Sequence, residues 1–187
     1  MTDAGKRLFL ACWPDERLRS ELHQQSRRLH KQTGGRRTDR NNLHMTLLFL
    51  GNTAPEQEQS LRRYCRALEA DAFSMDIDRV GVWKRPRIAW AAPSNVPAAL
   101  TELAGRLQKI AELLGHAPEK RAWRPHVTLL RKASGQVSQH EITPMHWDVD
   151  RFVLVESKTR SEGVQYRVIE QYDLNHRRGA VSSRYPV

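Results

Sequence analysis

Cysteine and long apolar runs are both scarce in this sequence. Its 187 residues include two cysteines, Cys12 and Cys65, and neither belongs to a CxxC motif or a Cys/His cluster. Two cysteines are too few to hold a chain of this length together by disulfides, so we expect both to be buried as small hydrophobic residues. The sequence predicts neither a disulfide-rich scaffold nor a cysteine-based metal site.

No apolar stretch approaches the ~20 residues that a helix needs to cross a bilayer. The first apolar run, at 8–12, is interrupted by Trp13 and Pro14, which leaves it too short for the core of a signal peptide. We therefore expect a protein of the cytoplasm that does not associate with membranes.

The charge is strongly one-sided. Lys and Arg number 31 against 21 Asp and Glu, which gives a formal net charge of +10. Such a surplus attracts polyanions, and arginine binds phosphate in a bidentate way. The charge therefore favours nucleic acid as a partner, although many basic proteins carry their charge only as a solvated surface.

The pattern of apolar residues predicts an α+β protein. Because no low-complexity linker interrupts the chain, we expect residues 1–176 to form one domain and 177–187 a loose tail. Helical spacing predicts helices over 14–30, 55–69 and 97–114. Strands are expected over 7–12, 43–50, 73–77, 80–83, 87–92 and 127–130, with a terminal hairpin formed by 148–157 and 164–174.

Two short segments occur twice in the same order. Leu-His-Met-Thr-Leu-Leu at 43–48 matches Pro-His-Val-Thr-Leu-Leu at 125–130. Further along each copy, Ile-Asp-Arg-Val-Gly-Val at 77–82 resembles Val-Asp-Arg-Phe-Val-Leu at 149–154. Two matches in the same order indicate two related halves, each built from helices and strands.

Each copy of the first segment carries a histidine and a threonine two positions apart. On a strand such residues share one face, so His44 lies beside Thr46 and His126 beside Thr128, while their neighbours on the other face are apolar. A pseudo-two-fold would bring both faces into one cleft with two imidazoles and two hydroxyls. Such a cleft suits a phosphodiester: one histidine removes a proton from water, the other protonates the leaving oxygen, and the hydroxyls and Arg131 stabilise the developing charge.

The residues also resemble a known family, the 2H phosphoesterase superfamily, whose signature is two copies of His-x-Thr-x. Further similarity to its bacterial RNA 2′,3′-cyclic phosphodiesterase branch, once called 2′-5′ RNA ligases, extends over nearly the whole chain to about Leu174. The similar segments are 7–15 (RLFLACWPD), 42–51 (NLHMTLLFLG), 85–90 (RPRIAW), 123–131 (WRPHVTLLR) and 152–157 (FVLVES).

This resemblance implies a bilobal fold, in which two antiparallel sheets form a V-shaped cleft with the helices outside. It implies hydrolysis of RNA 2′,3′-cyclic phosphate ends, such as those of tRNA fragments, by a monomer without metal or cofactor. It also implies that His126 accepts a proton from water and His44 donates one to the leaving 3′-oxygen, so that the product keeps a 2′-phosphate; the spacing of the residues does not assign these roles. Some members also join or break 2′-5′ linkages reversibly.

Two basic loops precede the His-x-Thr segments, and each either holds the RNA backbone or is a solvated loop. They contribute Arg40 and Arg124 as candidate substrate-binding residues beside Arg131. The other basic residues of the two loops are Arg36, Arg37, Lys120 and Arg121. We expect the tryptophans Trp83, Trp90 and Trp123 to be core residues or to stack on a terminal base, and the remaining histidines to be structural or solvated.

Two other functions remain open at this point. The same site would also suit a small cyclic nucleotide or an ADP-ribose cyclic phosphate. Alternatively, the chain is a catalytically silent RNA-binding module, but binding alone has no need of two paired imidazoles.

Overall fold

The computed structural model describes residues 5–117, 122–134, 137–160 and 163–175. The loose tail predicted for 177–187, together with Lys120 and Arg121, lies outside these residues. Within them no helix is long and apolar enough to cross a membrane.

Nine strands and three helices follow one another along the described residues in an α+β arrangement, which confirms the predicted fold class. The helices are α1 (Glu16–Thr33), α2 (Pro55–Arg66) and α3 (Ala98–Leu113). The strands are β1 (Lys6–Cys12), β2 (Arg36–Arg37), β3 (Met45–Thr53), β4 (Phe73–Trp83), β5 (Ile88–Ala92), β6 (Val127–Arg131), β7 (His140–Val149), β8 (Arg151–Arg160) and β9 (Gly163–Asp173), and a short 3-10 turn covers Arg40–Asn42.

The strands form one antiparallel sheet in the order β7-β4-β5-β6-β3-β1-β8-β9, with β2 paired to β6. The β6–β3 junction divides this order into β7-β4-β5-β6, to which β2 is added, and β3-β1-β8-β9. The junction consists of the single pair Met45–Val127. The two expected sheets are therefore joined edge to edge at one residue pair. Strands β4 and β8, which carry the second repeated segment, occupy corresponding places on the two sides, in agreement with the predicted internal repeat.

The two faces of the sheet have different surroundings. On β1, Leu8, Leu10 and Cys12 belong to the main hydrophobic core. The alternate residues Phe9 and Ala11 point to the opposite face and form a small second cluster. Cys12 and Cys65 are both buried as free thiols, as expected.

Three parts of the chain differ from the sequence predictions. The segments 73–77 and 80–83 form one strand, β4, and the basic loop before the first motif contains the two-residue strand β2. Strand β7 was not predicted, because Pro144 and the polar residues around it obscure its pattern and the buried residues lie near its end. Proline is tolerated there because β7 is an edge strand.

Close packing at Gly81 gives a test of this core. A Cβ atom at Gly81 would lie 2.6 Å from Cζ2 of the Trp90 ring. The indole is rigid and cannot bend to relieve this clash. We expect Gly81→Ala to lower the free energy of unfolding by about 1–3 kcal/mol, measured by urea denaturation. Gly105→Ala is the control: it lies in α3 with nothing within 4 Å of an added Cβ, so it should stabilise by about 1 kcal/mol. Equal effects of the two substitutions would contradict the packing described for Gly81.

Candidate active site

The junction of β3 and β6 brings the two repeated motifs together. Because Met45 pairs with Val127 in antiparallel register, His44 lies across from Thr128, and Thr46 lies across from His126. Met45 and Val127 are fully buried. Side chains alternate between the faces of a strand, so the two histidines and two threonines share the opposite face. The predicted meeting of two imidazoles and two hydroxyls thus follows from one residue pair.

The imidazole of His44 is enclosed by aromatic rings. Trp13 stacks on it with the ring planes 6° apart and the centroids 5.2 Å apart. Phe9 lies 4.9 Å away, and Tyr166 meets the imidazole edge-on at 5.2 Å. These rings come from β1, from the turn that follows it and from β9, which all lie on the β3 side of the junction. They restrict how the imidazole can turn and exclude water from its flanks.

The imidazole of His126 is held by fewer rings. Trp83 contacts it edge-on at a centroid distance of 4.6 Å, and Trp83 in turn packs on Trp90 at 5.4 Å. Trp90 is buried, whereas His126 and Trp83 are partly exposed. His126 is therefore more open to solvent than a core histidine.

Both histidines make the same backbone hydrogen bond. Nδ1 of His44 lies 2.7 Å from the carbonyl oxygen of Asn42, and Nδ1 of His126 lies 2.8 Å from that of Arg124. A carbonyl oxygen accepts but never donates, so Nδ1 carries the hydrogen in each ring. In the neutral state Nε2 is consequently the basic atom of both imidazoles. His44 Nε2 lies 3.1 Å from the Thr46 hydroxyl, which donates to it when the imidazole is neutral.

The surroundings favour the neutral form of both imidazoles. The pKa of His44 is lowered from 6.5 to about 4, chiefly by burial. The hydrogen bond to Asn42 opposes this shift, and the positive charges of Arg131 and His126 add to it. Burial also lowers the pKa of His126, again with Arg131 acting in the same direction and the hydrogen bond to Arg124 opposing them. Arg131, which lines the same cavity as His44, thus lowers the pKa of both imidazoles by its charge.

A cavity of about 690 Å³ opens at this face of the sheet. His44, Thr128 and Arg131 line it, and so does the ring of Phe49, which is 68% exposed. The other polar and basic lining residues include Arg7, Arg36, Arg37, Asn42, Ser157 and Thr159. The cavity thus combines imidazole, hydroxyl and guanidinium groups with an exposed aromatic ring.

The three arginines predicted to bind substrate occupy different places. Arg131 lines the cavity. Arg40 is directed to helix α1, where its guanidinium contacts Glu16 and Ser20. Arg124 is exposed, and its carbonyl group orients His126. Of the three, Arg131 is the one that the structure brings to the histidines.

Three aromatic residues near the site were not singled out from the sequence as site residues. Trp13 and Tyr166 contact His44, Tyr166 and Phe49 line the cavity, and the three come from separate parts of the chain that no motif links. For Phe49 the sequence predicts the wrong face. It follows His44 by five residues, so regular alternation along the strand would turn its ring toward the core. The strand is irregular where it pairs with β1, with register shifts between Leu8 and Phe9 and between Leu10 and Ala11, so simple alternation fails there. Trp123, a candidate for base stacking, instead donates a hydrogen bond to the carbonyl of Thr46 at 3.1 Å.

Among the described residues, no three or more His, Cys, Asp and Glu side chains are grouped so as to hold a metal ion. His146, one of the histidines expected to be structural or solvated, lies between Asp76 and Asp148 on the exposed surface of β4 and β7. The polar groups that the described chain offers to a ligand in the cavity are imidazole, hydroxyl and guanidinium groups, the amide of Asn42 and the carboxylate of Asp39.

Comparison with known proteins gives a consistent result. A family model described as the 2′-5′ RNA ligase superfamily matches residues 14–160. A protein of Escherichia coli (strain K12) named RNA 2′,3′-cyclic phosphodiesterase is 30% identical over 173 residues, which cover 90% of this chain and 97% of that protein. A protein of the same name from Thermus thermophilus is 28% identical over 193 residues, covering 96% of each chain.

Solved structures show the same similarity in three dimensions. E. coli LigT complexed with 3′-AMP superposes with a TM-score of 0.84 at 28% identity, covering 91% of this chain and 99% of that one. The Thermus thermophilus protein TT0787 superposes with a TM-score of 0.77 at 26% identity, with 91% and 99% coverage.

Proposed function

The chain belongs to the 2′-5′ RNA ligase superfamily, and on this basis we propose that it hydrolyses RNA 2′,3′-cyclic phosphodiester ends to 2′-phosphomonoesters. The observation that carries the proposal is the register of β3 and β6, which sets His44, Thr46, His126 and Thr128 on one face of the sheet. His44 and Thr128 line the cavity that opens there. Proteins that share this fold and 28–30% of the sequence are named RNA 2′,3′-cyclic phosphodiesterases.

In the proposed reaction His126 is the general base. Its Nε2 carries the lone pair, because Nδ1–H is held by the Arg124 carbonyl. Nε2 takes a proton from a water molecule, the water oxygen forms a bond to phosphorus, and the bond between phosphorus and the 3′-oxygen breaks. The partly exposed position of His126 gives water access to this nitrogen.

His44 is the proposed general acid, which donates the Nε2 proton to the departing 3′-oxygen. A pKa of about 4 makes this ring neutral at pH 7 before substrate binds. An anionic phosphate beside the ring favours its charged form and raises that pKa. The stacked indole of Trp13 attracts the imidazolium in the same direction. In this mechanism the substrate brings about the protonation of its own general acid.

Negative charge accumulates on the non-bridging phosphate oxygens as the water attacks. We assign the Thr46 and Thr128 hydroxyls and the Arg131 guanidinium as the donors to these oxygens, because Thr46 contacts His44 and the other two line the cavity beside it. Such donors act most strongly where water is excluded, as it is on the flanks of the His44 ring. Phe49 offers an exposed ring for stacking on the terminal base. We expect the substrate to be cytoplasmic RNA, such as tRNA fragments, and the enzyme to act as a monomer.

A single substrate tests the proposal. An RNA oligonucleotide ending in a 2′,3′-cyclic phosphate is incubated with the protein in EDTA, and we expect its mass to increase by one water molecule. Phosphorus NMR then identifies the product, which should carry the phosphate on the 2′-oxygen because the 3′-oxygen is the leaving group. A 3′-phosphate product would contradict the assigned geometry. RNA binding without turnover would instead support the silent binding module.

A further inference from the structure

The two motif histidines differ in the orientation of the rings that contact them. The indole of Trp13 lies parallel to the His44 imidazole, with 6° between the ring planes and 5.2 Å between the centroids. The indole of Trp83 instead meets the His126 imidazole at 71°, with a centroid distance of 4.6 Å. Within the described residues, a stacked aromatic partner is therefore found on His44 and not on His126.

The chain fixes the Trp13 indole from both sides. Cys12, which precedes it at the end of β1, is fully buried. Pro14, which follows it, is also buried, and a residue before proline is restricted to extended conformations. Asp15 then caps the first turn of α1. The position of the indole over His44 is thus set by the connection between β1 and α1.

The His44 ring is held as well, so the stack persists when the ring gains a proton. Its Nδ1 donates to the Asn42 carbonyl at 2.7 Å, and its Nε2 lies 3.1 Å from the Thr46 hydroxyl, which can accept as well as donate. In the described part of the chain neither nitrogen has a carboxylate partner, the group that stabilises the imidazolium in a Ser-His-Asp triad. Stabilisation of a charged His44 must therefore come from the faces of the ring and from the substrate.

The charged groups near His44 are mostly positive and oppose its protonation. Burial lowers its pKa most, and the charges of Arg131 and His126 lower it further. From β9 the phenol of Tyr166 meets the ring edge-on. The other charged residues that line the cavity are Arg7 of β1, Arg36 and Arg37 of β2, and Asp39. Against this background the face of the Trp13 indole, which carries the negative side of the ring quadrupole, favours the charged imidazole.

We propose that Trp13 is a positioning residue that selects His44 as the general acid, because its indole face stabilises the imidazolium that protonates the leaving oxygen. This inference rests on the proposed function. It supplies a physical reason for the division of roles, which two equivalent His-x-Thr motifs leave open. A residue outside both motifs thus breaks the pseudo-two-fold symmetry of the site.

The indole acts on His44 in two opposite ways. Its face attracts the imidazolium, whereas its bulk buries the ring and disfavours the charge. A truncation such as Trp13→Leu would change both effects at once. A decisive test must alter the electron density of the indole and keep its shape.

Fluorinated tryptophans introduced at Trp13 alone meet this requirement. Each added fluorine withdraws electron density from the ring face and leaves the size of the ring nearly unchanged. Because His44 must carry a proton to act, kcat falls on the basic side as that proton is lost. A weaker indole face lowers the pKa of His44 in the substrate complex. We expect the basic limb of the kcat profile to move to lower pH with fluorine content, by about one pH unit over the series.

Two controls accompany the kcat measurement on an RNA oligonucleotide that ends in a 2′,3′-cyclic phosphate. The same analogues at Trp147, a core residue of β7 at the far edge of the sheet, should leave the basic limb unchanged. A substrate with sulfur in place of the 3′-bridging oxygen needs no proton on its leaving group, so its kcat should not depend on fluorine at Trp13. Equal shifts at Trp13 and Trp147, or an equal dependence with the sulfur substrate, would overturn the proposal.

Nitrogen NMR of labelled histidine separates failure of this inference from failure of the proposed function. A pH titration in the presence of adenosine 2′-monophosphate measures the pKa of His44 and His126 without turnover. We expect the pKa of His44 to fall along the fluorine series and that of His126 to stay constant. A constant His44 pKa, or an equal fall for both rings, overturns the selective role of Trp13. If the wild type does not hydrolyse the cyclic phosphate, the proposed function fails, while a fall confined to His44 still supports its stabilisation by Trp13.

Discussion

Replacing either motif histidine by alanine should reduce turnover of an RNA cyclic phosphate by about 10²–10⁴-fold, the usual contribution of one general acid or base. His126→Ala removes the Nε2 lone pair that takes a proton from water. His44→Ala removes the proton donor and also the aromatic contacts to Trp13 and Tyr166. The measurement is kcat on the cyclic-phosphate oligonucleotide. Because the two groups act in one step, we expect the double variant to lose little more than the more severe single variant.

The control for these variants is His146→Ala. His146 is exposed, lies between two aspartates and does not line the cavity, so its loss should leave kcat unchanged. A 3′-bridging phosphorothiolate substrate then separates the two roles, because a thiolate leaves without a proton. This substrate should restore much of the rate to His44→Ala and little to His126→Ala. The reverse pattern would exchange the roles of the two histidines, and full activity of either alanine variant would refute the mechanism.

Arg131→Ala should lower kcat by about 10²–10³-fold, the cost of losing one donor to the charge that develops in the transition state. The same substitution should change the pH dependence. The positive charge of Arg131 lowers the pKa of both His44 and His126. Without it both pKa values rise, so His126 stays protonated, and inactive as a base, up to a higher pH. The acidic limb of the kcat/KM profile should therefore move to higher pH in the variant.

Lys132→Ala is the matched control for Arg131. It removes an exposed positive charge from the next position. The charge of Lys132 is not among the causes that shift the pKa of His44 or His126. We expect its rate and its pH profile to match the wild type. A similar shift of the acidic limb in both variants would mean that net charge matters and the position of Arg131 does not. An unshifted limb in Arg131→Ala would contradict the proximity of its charge to the histidines.

Local patterns in the sequence were enough to predict most of the elements. Helix α3 is expected at 97–114 and found at Ala98–Leu113, because its leucines recur at helical spacing. Strand β6 is expected at 127–130 and found at Val127–Arg131. The exceptions are the two-residue strand β2, which lies in a predicted loop, and β7, where an edge position relaxes the demand for regular alternation. Its buried residues, Met145, Trp147 and Val149, belong to the last part of the strand.

The sequence by itself determined which side chains share a face. In any strand, the period of two places His44 with Thr46 and His126 with Thr128, opposite the apolar residues that enter the core. The tertiary structure decided what those faces meet. The single pair Met45–Val127 sets the two motifs side by side, the rings of Trp13 and Tyr166 enclose His44, and β2 places Arg36 across from Arg131. These contacts join residues far apart in the chain, and their register depends on how whole elements pack, which local periodicity does not encode.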